Sequence, residues 1–278
     1  MPFRAIVLLD GVSSESRSRL ERAAPVGKVE FVDAANFTRG LKGARHVTAA
    51  TYLRLFADQV MPPETERVLF LDADTMAIAD LSELYHLDLH GNAVAAARDM
   101  VIADSDHPYS GSVTRGSADP YFNAGVLLID LVRWRREGIG DELRAYARER
   151  PGHGNFDQEA LNDILRHDWL EVDPIWNVQR SLLLLHEHPR HDWVETMRRR
   201  RAEILKSARL VHFSGGLKPW EARSRHPYRK AWRRGLLQSG WLAPGEYARW
   251  MLRLRGKSAA FELAVIAGRR KPRERVTG

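Results

Sequence analysis

Asp72 and Asp74 stand one residue apart at the end of an apolar run, in the stretch VLFLDADTM from Val68 to Met76. Burying one ionised carboxylate without a partner costs several kcal/mol. Either a cation sits between the two, or the chain turns there to meet water. Hard oxygen ligands of this kind suit Mg²⁺, Mn²⁺ or Ca²⁺. Alternate side chains of an extended strand point to opposite faces, so both carboxylates reach one ion only if a turn begins at this point. Two other readings fit the same residues. The aspartates could cap the next segment, or they could be the nucleophile and acid of a phosphatase.

Three later stretches carry further candidates. In DPYFNAGVLLIDLVRWR (Asp119 to Arg135), Asn123 and Gly125 come just before a buried strand. The Asn123 amide suits a sugar hydroxyl, and the small Ala124-Gly125 pair permits close approach; a strand opening on small residues also needs no function. In GNFDQEALNDIL, Asn155 and Gln158 have capping-box spacing, and Ala160, Leu161, Ile164 and Leu165 form an apolar helical face. Asp157 and Gln158 at this helix start either complete the cap or face a substrate. In RLVHFSGGLKPW (Arg209 to Trp220) a strand ends at His212, which is either a core histidine or the nitrogen ligand of the same metal. The Gly215-Gly216 turn can form an anion-binding nest of backbone N–H groups, and Lys218 adds a compact charge for phosphate.

The elements that must position these residues alternate along the chain. RAIVLLD, VEFVD, RVLFLD, NAVAAARD and AGVLLIDL read as strands; SESRSRLERAA, TAATYLRLFADQV, GDELRAYARER and FDQEALNDILRH read as helices. The near-continuous apolar runs suit strands buried on both faces of a parallel sheet. The pattern predicts an α/β domain with a mostly parallel sheet flanked by helices. Ligands gather at the carboxyl ends of such strands, where Asp72 and Asp74 fall. The segment from Asp104 to Pro120 is a Ser-, Gly- and Pro-rich loop of functional length.

Composition narrows the function classes. The chain has 278 residues, 44% of them hydrophobic, with eight tryptophans and no cysteine. Disulfides, thiolate catalysis and cysteine-zinc sites are excluded, and a reducing compartment fits. No apolar run approaches the roughly 18–20 residues of a membrane span. The opening MPFRAIVLLDG reads as a strand and not as a signal peptide. The net charge is +7, but residues 221–278 hold fifteen Lys/Arg against four Glu, a net of +11, which leaves the first 220 residues at −4. An acidic body with a basic tail suits an anionic surface. Trp232, Trp241, Tyr247 and Trp250, set among Arg233, Arg234, Arg249, Arg253 and Arg255, suit an interfacial helix. They equally suit a solvated basic helix that packs its tryptophans inward. No nucleic-acid module is present, and no nucleic-acid partner is expected.

Taken in order, TAATYLRLFADQV, RVLFLDADTMAIADLSELYHLDL, YFNAGVLLIDLVRWR, FDQEALND with the later WNVQ, and HFSGGLKPW resemble glycosyltransferase family 8 from about Thr48 to Trp220. That family comprises retaining, nucleotide-sugar-dependent enzymes of the GT-A fold, including bacterial lipopolysaccharide galactosyl- and glucosyltransferases and the glycogenins. The resemblance implies a GT-A type, Rossmann-like domain over 1–220 and a basic helical extension over 221–278. It implies that Asp72, Asp74 and His212 hold Mn²⁺, with Mg²⁺ the alternative, and a histidine ligand favours Mn²⁺. Arg54, Ala73, Gly215 and Lys218 would then contact the donor's phosphates or their surroundings. Asp99, Asn123, Asp157 and Gln158 would line the donor-sugar pocket, with Asp157 and Gln158 closest to the chemistry. The implied reaction moves glucose or galactose from a UDP-sugar to a glycan or glycolipid acceptor.

Family members begin with another βα unit whose first strand ends in a uracil-holding turn. Here FRAIVLLDGVSSESRSRLE resembles the family's second strand and helix, so one unit of roughly 30 residues is expected to be missing. In bacterial members a basic, aromatic tail docks on anionic membrane. The implied place of action is cytoplasmic, at the inner face of the cell membrane. Two rivals are a non-catalytic sugar- or lipid-binding relative and a phosphatase of the haloacid dehalogenase type. The second lacks the later acidic motif in GDELRA and gives HFSGGLKPW no role.

Overall fold

The computed structural model describes residues 3–25, 28–41, 48–99, 120–149, 157–183, 192–216 and 218–266, with side chains as far as residue 260. Asn155, all but Pro120 of the anticipated loop from Asp104 to Pro120, and the terminal GRRKPRERVTG lie outside the described residues. The chain divides into two compact units. One holds Leu8–Asp10 and Val32–His212; the other holds Pro2–Val7, Gly11–Phe31 and Phe213–Gly278.

β1 (Ala5–Leu9) and β2 (Val29–Asp33) form a two-stranded sheet, with α1 (Ser14–Ala23) between them in sequence. The serine-rich entry to α1 works as expected, because the Ser13 hydroxyl accepts from Ser16 N–H. Ala49–Phe56 is a 3₁₀ run that passes into α2 (Ala57–Val60), whereas the sequence suggested one continuous helix. Side chains take carbonyls that such a helix would use: Arg54 Nε donates to Thr51 O (3.2 Å), and Arg144 Nη1 donates to Leu55 O (2.7 Å).

β3 (Arg67–Leu71) leads to β4 (Thr75–Ala77), α3 (Ser82–Tyr85), β5 (Val94–Arg98) and β6 (Phe122–Asp130). Asp130 ends β6 and caps α4 (Leu131–Glu137) by accepting from Arg133 N–H at 2.9 Å. Gly138 closes α4 in the left-handed region at φ 68°. Then come α5 (Ile139–Glu149), α6 (Asp157–Ile164), β7 (Trp169–Glu171), β8 (Val178–Gln179), α7 (Arg180–Leu183), α8 (Asp192–Ser207) and β9 (Leu210–His212).

The strand order is β3-β6-β5-β7 in one sheet and β4-β9-β8 in another. The sheets are mixed, not mostly parallel. β3–β6, β5–β6 and β4–β9 are antiparallel, while β5–β7 and β8–β9 are parallel. Apolar runs report burial on both faces, not direction. β6 earned its run: Leu127 and Ile129 join the core that holds Trp134 and Leu143, while Val126 and Leu128 face Ala95, Ala97 and Leu210 on the other side. β3, at one end of its order, is only half-buried along its length.

A register irregularity in β6 shapes the site. Ala96 pairs with Leu127 but Arg98 pairs with Phe122, so β6 carries extra residues between these points. Such irregularities re-aim side chains beside functional centres, and this one holds Asn123, Ala124 and Gly125.

The second unit contains α9 (Arg229–Gln238) and α10 (Pro244–Ile266). Trp232 lies between Trp220 and Trp250 at ring distances of 5.3 and 6.3 Å, and Tyr247 meets Trp250 at 5.7 Å. These aromatics therefore pack on one another, and Arg19 pairs with Glu246 at 3.4 Å. Leu252 is 65% exposed. No helix among the described residues is long and apolar enough to cross a membrane.

Candidate active site

The turn required after β3 is present. Thr75 N–H and Thr75 Oγ1 both donate to Asp72 O, at 3.0 and 2.7 Å, which brings Asp72 and Asp74 to one side and leaves Ala73 exposed. β4 then pairs with β9 so that Thr75 lies opposite His212. The ligand atoms of Asp72, Asp74 and His212 fall within 4.8 Å of one another. His212 Nε2 is 3.2 Å from Asp74 Oδ1 and 3.8 Å from Asp72 Oδ2. The other wall is β6, where Gly125 O accepts from Asp72 N–H at 2.8 Å. A side chain at 125 would overlap His212 Cε1 and stand 2.9 Å from Asp72 Oδ2. Two carboxylates and an imidazole converging where only glycine fits make a donor set suited to a small divalent cation.

Arg54 is buried behind the aspartates. Its Nη2 reaches Asp72 Oδ1 at 2.6 Å, its Nε reaches Asp157 Oδ2 at 2.7 Å, and its Nη1 donates to Ala124 O. Burial works against the guanidinium charge, but the carboxylates of Asp157, Asp72 and Asp74 outweigh it and raise the Arg54 pKa above its ordinary value. Burial pushes the Asp157 carboxyl up, while Arg54 and a hydrogen bond from Thr51 Oγ1 (2.6 Å) pull it back. Asp157 thus faces Arg54 as a buried counter-charge.

An amide network adjoins this cluster. Asn123 Nδ2 and Gln158 Nε2 donate to Asp99 Oδ2 at 2.9 and 3.2 Å. Gln158 Oε1 accepts from Ala124 N–H at 2.9 Å. Asn162, one turn into α6, grips both the N–H and the carbonyl of Phe122, at 2.8 and 2.9 Å, and so docks the helix start against β6.

Of the residues singled out in the sequence, Asp72, Ala73, Asp74, Arg54, Asp99, Asn123, Asp157, Gln158 and His212 lie in the first unit, and all except Ala73 join this connected network. Gly215 and Lys218 belong to the second unit, where Gly215 adopts φ 77° and Lys218 Nζ donates to Phe213 O at 2.6 Å. Thr51, Asn162 and Asn177 were not anticipated. Asn177 stands inside the WNVQ block, and its signal was a polar residue in an otherwise apolar approach to a strand.

The sequence matches the family described as glycosyl transferase family 8 over residues 2–224. The chain belongs to this family. Its family 8 relatives include General stress protein A of Bacillus subtilis, 30% identical over 234 residues, covering 80% of this chain and 78% of that protein. The lipopolysaccharide 1,3-galactosyltransferase of Salmonella typhimurium is 28% identical, over 84% of this chain and 69% of that protein. Of two other curated relatives the chain spans 42% and 55%. Among solved structures, the galactosyltransferase LgtC in complex with donor and acceptor sugar analogues superposes with a TM-score of 0.66 at 25% identity, covering 89% of this chain and 88% of that one. The fold of this family 8 glycosyltransferase is the GT-A type α/β architecture.

Proposed function

We infer that the chain is a Mn²⁺-dependent, retaining hexosyltransferase that moves glucose or galactose from a UDP-sugar to a glycan or glycolipid acceptor of the lipopolysaccharide kind. Mg²⁺ is the alternative ion. The observation that carries this reading is the convergence of Asp72, Asp74 and His212 within 4.8 Å. The names of LgtC and the Salmonella galactosyltransferase support the sugar and acceptor classes.

Asp72, Asp74 and His212 would hold the cation, and a bound divalent ion supplies positive charge for the departing diphosphate. Gly215 and Lys218 are assigned to the same phosphates, Lys218 as a point charge. Arg54 has its donors engaged by Asp72, Asp157 and Ala124 O, so its contribution is to aim Asp72 beside those phosphates. Ala73, exposed between the aspartates, borders the donor. Asp99, Asn123 and Gln158 offer a preorganised set of donors and acceptors for sugar hydroxyls. Gln158 is a neutral amide whose oxygen already accepts from Ala124 N–H, and an amide is a poor nucleophile. A front-face displacement therefore fits best: the departing phosphate takes the acceptor's proton and configuration is retained. Asp157 acts through Arg54. The basic second unit, with Leu252 exposed, is assigned to peripheral contact with an anionic membrane, at its cytoplasmic face.

The test is hydrolysis of a panel of UDP-sugars with and without Mn²⁺, using Asp74→Asn as control. Mn²⁺-dependent turnover of UDP-glucose or UDP-galactose, lost in the variant, is expected. A folded sample that neither hydrolyses nor binds any UDP-sugar at millimolar concentration would sink the proposal.

A further inference from the structure

The His212 ring nitrogen remote from the carboxylates, Nδ1, lies 3.1 Å from Asn177 Oδ1. A chain of buried amides continues from there. Asn177 Nδ2 is 2.9 Å from Asn123 Oδ1, and Asn123 Nδ2 is 2.9 Å from Asp99 Oδ2. An Asn side chain can be turned end for end, and an imidazole proton can sit on either nitrogen. The direction of the chain must therefore come from groups with a single role. Two such groups fix it. Gly125 N–H, which only donates, lies 3.1 Å from Asn123 Oδ1, so that atom is the oxygen. The Asp99 carboxylate at the other end accepts, so Asn123 presents its NH₂ there. The Asn177 group facing the Asn123 oxygen must then be NH₂, and its oxygen faces His212. That oxygen accepts only, so His212 Nδ1 must carry a proton.

We propose that Asn177 is a positioning residue that holds the His212 proton on Nδ1 and so keeps the Nε2 lone pair for the cation between Asp72 and Asp74. Asn177 is 1% exposed and His212 4%, so water does not compete for the bond. β8 and β9 run parallel with Gln179 opposite His212, which sets Asn177 beside the ring. Groups that orient a ligating histidine in this way typically govern metal affinity by about 10–100-fold. The consequence for metal rests on the metal reading given above; the position of the proton does not.

The test reads the proton directly, by ¹⁵N–¹H correlation of the histidine rings in chelator-treated full-length protein, with His212 assigned by loss of its signal in His212→Gln. Wild type is expected to show a proton on Nδ1. Asn177→Ala is expected to shift His212 toward the Nε2–H form and to weaken Mn²⁺ binding, read by calorimetry, about 10–100-fold. Asn177→Asp, which keeps the acceptor, retains the Nδ1 proton and more of the affinity. A bare Nδ1 in wild type overturns the proposal, as does a folded Asn177→Ala with an unshifted ring spectrum. Should Asn177→Ala not fold, the wild-type spectrum still decides. A wild-type protein with the Nδ1 proton but no Mn²⁺ binding defeats the metal reading and leaves the role of Asn177 standing.

Discussion

A methyl group at position 125 would overlap His212 Cε1 and approach Asp72 Oδ2 to 2.9 Å. Both neighbours are buried or half-buried, so relief must come from moving a ligand. Gly125→Ala should therefore reduce Mn²⁺ affinity by at least about 10-fold, on the scale set by disturbing a metal's surroundings, while calorimetric binding and circular dichroism show a folded protein. Tyr52 offers a pH test. Burial, with the Asp157 charge adding to it, pushes its phenol from 10.0 up to about 12. A raised folded value means this stability is intact below pH 10 and lost as pH rises through about 12. The urea midpoint should fall across that window, and fall less in Tyr52→Phe. Asp72, Asp74 and His212 each had a structural reading in the sequence, as capping aspartates and a core histidine, and became legible as one set only through the ordered family 8 blocks that carry them. Thr51, Asn162 and Asn177 were not, because their partners Asp157, Phe122 and Asn123 lie 106, 40 and 54 residues away.

Among elements, the entry to β3 depends on one side chain of α4. Arg135 Nη1 donates to Pro63 O and Thr65 O at 2.9 and 2.8 Å, and Nη2 donates to Met61 O and Pro62 O at 3.1 and 3.0 Å. The guanidinium thus satisfies the carbonyls of the turn that delivers β3, the strand that runs into Asp72. Arg135→Ala should cost about 2–3 kcal/mol, the scale of losing hydrogen bonds to a charged donor, measured by urea unfolding. Arg135→Lys should recover only part of this, because a single ammonium cannot reproduce the planar fork. The runs NAVAAARD and AGVLLIDL announced β5 and β6, since two buried faces demand continuous apolar residues, but β6 begins earlier than its apolar run, at Phe122, so Asn123 and Gly125 lie inside the strand and not before it. Strand direction was illegible, because β6 returns antiparallel through a connection with no apolar signature. The 3₁₀ form of Ala49–Phe56 was also hidden, since the side chain that takes Leu55 O, Arg144 of α5, lies 89 residues away in sequence.

For the molecule as a whole, the division of charge seen in the sequence maps onto a unit of its own only in part. The second unit combines residues 213–278 with α1 and its flanks, and distant segments that pack together leave no mark in composition. If this unit meets membrane, the full chain should sediment with vesicles rich in anionic lipid and be released by about 0.5 M NaCl, as screening over a few ångströms requires. Binding indifferent to lipid charge would defeat that assignment. Metal offers a second global readout. At about 100 times its dissociation constant, Mn²⁺ should stabilise the chain by about 2.7 kcal/mol. That is about 5–10 °C in Tm for a domain of this size, absent in Asp74→Asn and reversed by chelation.

The guanidinium of Arg54 has one more consequence. It is a permanent positive charge, 6% exposed in its side chain and shared between Asp72 and Asp157. Many small metalloproteins unfold when stripped because only the ion holds their acidic ligands together. Here the chain carries its own counter-charge on the 3₁₀ segment, so for the proposed metal site folding and loading are expected to be separable, read as a cooperative urea transition that persists in chelator. On the proposed Mn²⁺ reading, a cell short of manganese would accumulate an idle but intact protein, ready to be switched on by resupply, and would not have to synthesise it again.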